Sequence, residues 1–463
     1  MSCNGTPKIF QMGARSLENG KNGVNQSDGW GADNSVRALS TNDGLPWLSL
    51  EIDEDYGFKE DDSVTSRAFK SSPRLMSIKL GKPISFLDRY YGQDDLNYWM
   101  FGFENAVKPV IIFKAGVDPF SDTPAVGDVY TQGGNNFTYL RTIKNRGVNN
   151  TDFYMYIFTT DGTNLPTASG QLTEGANTFD YTEHSGQMYE HLFELDKSNR
   201  NFREYSTAEQ SALTEDGWES GDKRNLMMTV GKRYNEYDAC VRNLTCKKAS
   251  WALTAGDDGE AVWSCDYVGY KKEEGDYDSD DWTLQDGGET QDNSPAHYET
   301  TFSIGTTFHD ENLSGGDMIE INAKSANVNI EIPVDESQSF VSGLYNQCPL
   351  LNGAYNLSWD CLIGRHDTLT YQQRLRNLTK AIVHIQSLQG YYLKEFLIKK
   401  ATLKKAGADN SEIADEMLEG SMDDIKPTDN PFTDWLHSHS ELQDSPIVMR
   451  VVNYNPNNSM FLH

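Results

Sequence analysis

The stretch 238–272 limits the fold more than any other part of the chain. Two β-rich runs, 240–253 and 260–270, flank Ala255-Gly256-Asp257-Asp258-Gly259. Asp-Gly between such runs is a hairpin signal, because both residues tolerate the backbone angles that a tight turn demands. A second signal lies downstream, where Val328, Ile330 and Ile332 alternate with Asn329 and Glu331. Successive side chains on a strand point to opposite faces, so this pattern suits a strand with one buried face. Met76, Ile78 and Leu80 alternate with Ser77 and Lys79 in the same way. Further strands are expected at 108–113, 153–158, 355–363, 380–388 and 391–403. The fold class expected is mainly β (α+β).

Helical signals are few. Asp94 and Asp95 precede Leu96-Asn97-Tyr98-Trp99-Met100-Phe101, which sets acids at the positive end of a short helix. Ser206-Thr207-Ala208-Glu209 fits a capping box, predicting a helix that stops near Gly217. Short helices are also expected at 370–379 and 411–422.

The chain has 463 residues, enough for two or three domains. Residues 1–72 read as an N-terminal arm, because Gly, Asn, Ser and Asp dominate 19–43 and leave little to build a core. Such an arm either stays loose or orders against a neighbouring subunit. Residues 73–275 form a first module with long loops, and 276–296 an acidic linker or loop. A second module spans 297–405, and 406–463 is an acidic C-terminal extension. The modules echo each other: Trp263-Ser264-Cys265-Asp266-Tyr267-Val268-Gly269 is similar to Leu357-Ser358-Trp359-Asp360-Cys361-Leu362-Ile363-Gly364. An internal duplication is therefore a working hypothesis.

Charge excludes some partners. With 40 Lys+Arg against 69 Asp+Glu the net charge is −29, which repels nucleic acid and anionic lipid. The apolar run 110–113 is far short of the ~20 residues that a membrane span needs. Residues 1–15 show no apolar region of a secretory signal, so none is expected. The six cysteines, Cys3, Cys240, Cys246, Cys265, Cys348 and Cys361, include no Cys-x-x-Cys pair. They read as small buried hydrophobes in a reducing compartment.

No catalytic, cofactor-binding or metal-ligating residue is nominated. Gly29-Trp30-Gly31 has Asn34 where a dinucleotide loop needs its third glycine, and Gly231-Lys232 is followed by Arg233. His437 and His439 would share a face of a strand, but a surface histidine pair is commoner than a metal site. Asp276, Asp278 and Asp280 mimic the start of a calcium loop, yet Asp281 replaces its glycine and Gly287 its bidentate glutamate. Trp251, Trp263 and Trp359 alternate along strands and read as core rather than as a sugar-stacking surface.

A family resemblance enters at 188–282. The blocks are Tyr189-Glu190-His191-Leu192-Phe193-Glu194-Leu195-Asp196, the 206–217 helix, 226–231 and Tyr237-Asp238-Ala239-Cys240. They continue with Asn243-Leu244-Thr245-Cys246-Lys247 and Asp266-Tyr267-Val268-Gly269-Tyr270-Lys271 before an acidic turn ending at Trp282. In this order they resemble the major tail tube proteins of long-tailed, non-contractile (siphovirus-type) bacteriophages. Val341-Ser342-Gly343-Leu344-Tyr345 and 371–388 are similar to the second half of such proteins. The likeness covers roughly 74–405.

The resemblance implies two related tail-tube-like β-sandwich or barrel modules, each with a short helix. It implies stacked homo-oligomeric rings with a closed inner β-barrel. A chain with two modules would build a ring from three copies as a pseudo-hexamer, with six copies the alternative. The implied partners are further copies of the chain, a tape measure protein, a tail terminator and tail-tip proteins. Genomic DNA would pass through an acidic lumen without specific binding. The implied location is the virion tail, assembled in the host cytoplasm, with no enzyme activity, no cofactor and no membrane. The alternatives are another virion β protein, from a tail tip or capsid decoration, and a carbohydrate-binding β-sandwich module.

Overall fold

The computed structural model describes residues 14–15, 49–50, 54–59, 74–80, 83–104, 107–116, 119–146, 152–160, 165–195, 203–204, 223–224, 228–234, 237–256, 259–269, 271–275, 294–306, 318–335, 350–351, 354–363, 380–408, 416–422 and 445–456. Most of them belong to one antiparallel sheet of 23 strands. The strand Tyr392–Ala408 is one of its branch points. On one side lie Lys380–Gln389, then Thr300–Gly305 and Ile319–Ile321. On the other side its first half pairs with Ile447–Asn453 and its second half with Glu416–Met422.

Each of those two strands begins a lobe. From Ile447–Asn453 the sheet continues through Glu183–Leu195, Lys108–Lys114, Asp152–Thr160 and Asn135–Arg146. From Glu416–Met422 it continues through Asn356–Ile363, Ala323–Glu331 and Tyr237–Thr254. Val262–Val268 and Ile84–Leu87 follow. Among the described residues no succession of pairings returns to its starting strand, so the sheet is open there.

The expected hairpin around 255–259 is present. Tyr237–Thr254 and Val262–Val268 pair with Trp251 opposite Trp263 and Ala249 opposite Cys265. Alternation sets what is buried. Leu357, Trp359, Cys361 and Ile363 face the core while Ser358, Asp360 and Leu362 are half-buried. The two echoing segments are both inner strands with a partner on each side. Each buries a Trp-x-Cys pair, Trp263 with Cys265 and Trp359 with Cys361.

The helix Asp94–Phe101 lies where the sequence places it. Eight residues are too few for a helix to stand alone in water. Burial of Leu96, Trp99, Met100 and Phe101 holds it, and Trp99 Nε1 donates to the Leu244 carbonyl at 2.8 Å. Gly102 ends it at φ 97°, a left-handed conformation that glycine adopts without strain.

The helix expected at 411–422 is a correction. Glu416–Met422 is a strand with a neighbour on each edge. Leu418, Gly420 and Met422 are buried while Met417, Glu419 and Ser421 are half-buried, a period of two. Backbone pairing on both sides outweighs local propensity, and Gly420 would cost a helix about 1 kcal/mol. The helices expected at 206–217 and 370–379 lie outside the described residues. Asp94–Phe101 is the one α-helix among those described.

Three short pieces of 1–72 pair with later strands of the same chain. Ala14–Arg15 meets Met228–Tyr234, Ser49–Leu50 meets Ile84–Leu87, and Glu54–Lys59 meets Arg74–Leu80. The main core spans the helix and the inner strands and contains Trp99, Trp251, Trp263, Trp359 and Phe396. A second core is aromatic, with Phe113 edge-on to Phe158 at 5.2 Å and to Phe179 at 5.6 Å. Among the described residues no helix is long and apolar enough to cross a membrane.

Candidate functional site

Charged side chains concentrate where the two lobes meet. The strand Ile447–Asn453 is buried at every residue and lies between Glu183–Leu195 and Tyr392–Ala408. Arg450 stands opposite Leu192 on one neighbour and Glu395 on the other. Val451 stands opposite His191 and Lys394. Residues in register share a face, so Arg450 and Glu395 occupy one face of the junction while His191 and Lys394 occupy the other.

Glu395 centres the first face. It pairs with Arg141, His384 Nε2 lies 3.1 Å from its Oε1, and Arg450 Nη1 lies 3.7 Å from its Oε2. Arg450 Nε also lies 2.8 Å from Glu190 Oε1. Burial pushes the Glu395 carboxyl up, but the charges of Arg141, His384 and Arg450 outweigh it and hold the group at about 2. Removing Glu395 would take away the acid that Arg141, His384 and Arg450 share in the interior.

The second face has three anchors. His191 Nδ1 lies 2.7 Å from Glu104 Oε1 and its Nε2 lies 2.9 Å from the Asn455 carbonyl oxygen. Burial alone would lower the imidazole, yet the charges of Asp94 and Glu104 and both hydrogen bonds raise it to about 9. The doubly protonated ring donates to both acceptors. Asp94, at the helix N-terminus, accepts from Asn453 Nδ2 at 3.2 Å and Asn455 Nδ2 at 2.7 Å. Asp88 accepts from Trp251 Nε1 at 2.8 Å, Trp263 Nε1 at 3.0 Å and Lys394 Nζ.

Most of these groups are buried, and they act as ties between strands. They tie the segment 88–104 and the strand Glu183–Leu195 to Lys380–Gln389, Tyr392–Ala408 and the segment 450–455. A separate surface depression of about 310 Å³ is lined by Lys108, Pro109, Val126, Gly127, Thr138, Leu140, Thr159 and Thr160. Its walls are mainly apolar and carry no acid, histidine or cysteine.

The sequence reading nominated no site residues. Its tryptophans, Trp251, Trp263 and Trp359, are core, as expected, and two of them also donate to Asp88. His437, His439, Asp276, Asp278, Asp280 and the 29–34 loop lie outside the described residues. Gly231 and Lys232 lie within the strand Met228–Tyr234, opposite Cys240 and Ala239. No group of three or more potential metal ligands occurs among the described residues. Sequence reasoning missed Glu190, His191, Lys394, Glu395 and Arg450. A signal was present: each is a charged or titratable residue inside an apolar strand run, such as Ile447-Val448-Met449-Arg450-Val451-Val452. No family model and no curated protein matches the chain.

Proposed function

We propose that this chain is a structural virion protein, the subunit of a bacteriophage tail tube, which acts by assembly and carries no active site. The blocks at 188–282 support the reading through their likeness to tail tube proteins. The single observation of the fold that carries it is the open sheet. A sheet of 23 strands that does not close among the described residues leaves outer strands able to pair with another chain.

The outer strands differ in how they are finished. Asn177–Tyr181 ends one lobe and is covered on its far side by 119–121. There the Asp180 N–H donates to the Pro119 carbonyl at 2.8 Å and the Ser121 N–H to the Thr178 carbonyl at 2.9 Å. Ile319–Ile321 and Ser49–Leu50 each pair with one strand among the described residues. In the proposed ring such strands continue into the next copy, and the inner sheet closes only there. The two echoing segments fit three copies per ring, each supplying two modules. Six copies is the other count to test.

The net charge of −29 suits a conduit that repels DNA and lets it slide. The remaining partners in this reading are a tape measure protein, a terminator and a tail-tip complex. Assembly takes place in the host cytoplasm and ends in the virion tail.

Negative-stain electron microscopy of the concentrated chain tests the reading. Hollow tubes of stacked rings are expected, and averaging then counts the copies per ring. Small particles that persist after addition of a tail-tip extract would overturn it. The weight would then move to another virion β protein or a carbohydrate-binding module.

A further inference from the structure

We propose that Asp88 and Lys394 become joined by an amide bond between their side chains. Both are buried, with 0% and 2% of their surfaces exposed. Lys394 Nζ is in contact with Asp88 Oδ1 and lies 3.4 Å from the Arg89 carbonyl oxygen. Burial of both groups keeps bulk water from competing for the amine and from hydrolysing the product.

The surroundings supply what the reaction needs. Trp251 Nε1 donates to Asp88 Oδ2 at 2.8 Å, and Trp263 Nε1 donates to Oδ1 at 3.0 Å. Trp251 and Trp263 face each other across one hairpin, so the two donors are fixed by strand register. The Phe396 ring closes the enclosure, 4.9 Å from the Trp251 ring and 5.9 Å from that of Trp263. Fixed N–H groups aimed at a carboxyl oxygen stabilise the negative charge that develops there when the carbon is attacked. Register and packing already hold amine and carboxyl together, which removes the entropy cost of bringing them into contact.

The step balances without a co-reactant. A proton passes from Nζ to Oδ1, leaving an amine and a carboxylic acid. The Nζ lone pair attacks Cγ, and the Trp251 N–H holds the charge that develops on Oδ2, while the Trp263 N–H keeps Oδ1, the leaving oxygen, in place. A second proton moves from Nζ to Oδ1, the Cγ–Oδ1 bond breaks, and that oxygen leaves as water. Nζ keeps one hydrogen and is bonded to Cγ. Nothing is oxidised or reduced. The product replaces two desolvated charges with a neutral amide, whose carbonyl accepts from Trp251 and whose N–H faces the Arg89 carbonyl.

The link would span 306 positions of sequence. It would fasten the segment after Ile84–Leu87 to Tyr392–Ala408, a strand at which the sheet branches. It stands whether or not the chain builds a tube.

Mass spectrometry of the full chain, purified and then denatured, tests it. The expected intact mass is short of the sequence mass by one water. A protease digest should yield a branched peptide joining the segments around Asp88 and Lys394. Lys394→Arg keeps the charge pair but not the amine nucleophile, and Asp88→Ala removes the carboxyl; both should have the full sequence mass. Trp251→Phe should lower the linked fraction several-fold. A wild-type chain of full mass would overturn the proposal. So would a water loss that maps elsewhere, or one that survives in Lys394→Arg.

Discussion

Trp359 and Gly420 face each other across adjacent strands, and the indole occupies the space that any side chain at 420 would need. A Cβ on Gly420 would stand 2.3 Å from Trp359 Nε1 and 2.9 Å from the Thr402 carbonyl oxygen. A tryptophan laid over a strand glycine fills the gap left by the absent side chain. The buried Trp359 Nε1–H meets no acceptor among the described residues.

Gly420→Ala should therefore destabilise the fold by about 1–3 kcal/mol through overpacking. Chemical denaturation measures the loss. Trp359→Leu in the Gly420→Ala background should recover part of it, because the smaller side chain vacates the site.

The cluster around Glu395 predicts acid sensitivity. Its carboxyl is held at about 2 against an ordinary value of 4.5. A depressed carboxyl contributes its full stability above 4.5 and loses it as pH falls from there toward 2. Unfolding midpoints followed through that window should drop, and in Glu395→Gln the drop should be shallower. Glu395→Ala removes the acid that Arg141 and Arg450 share and should cost about 3–5 kcal/mol at neutral pH.

His191 predicts the opposite limb. Its imidazole is raised from 6.5 to about 9. A raised histidine contributes fully below 6.5, progressively less as pH rises, and nothing once pH has passed through 9. NMR titration should find the His191 ring still charged well above neutrality. Glu104→Gln should bring its titration down toward the ordinary value.

Cysteine reactivity gives a further check. Cys246, Cys265 and Cys361 are buried thiols, and burial, with the Asp360 charge adding to it, pushes the Cys361 thiol up to about 12. Alkylation of the native chain at neutral pH should leave these three unmodified, and denaturant should expose them. Peptide mapping reads each site separately.

The sequence by itself determined the elements. Alternation at Val328, Ile330 and Ile332, the Asp-Gly turn after Thr254, and the acids ahead of Leu96 each encode a local preference that needs no distant partner. The strands at 323–331, 356–363, 380–389 and 392–408 and the helix at 94–101 follow from them. Periodicity failed at 416–422, where the local pattern read as a helix and pairing on both edges made a strand.

Only the tertiary structure decided which strands meet. Placing Ile447–Asn453 between Glu183–Leu195 and Tyr392–Ala408 joins segments more than 200 positions apart on one side. The register of that junction puts Arg450 beside Glu395 and Lys394 on Asp88. Nothing local specifies it, because the stabilisation of a buried charge comes from a counter-charge supplied by a remote part of the chain. Composition states that acids and bases are present, and the fold decides which of them are buried together.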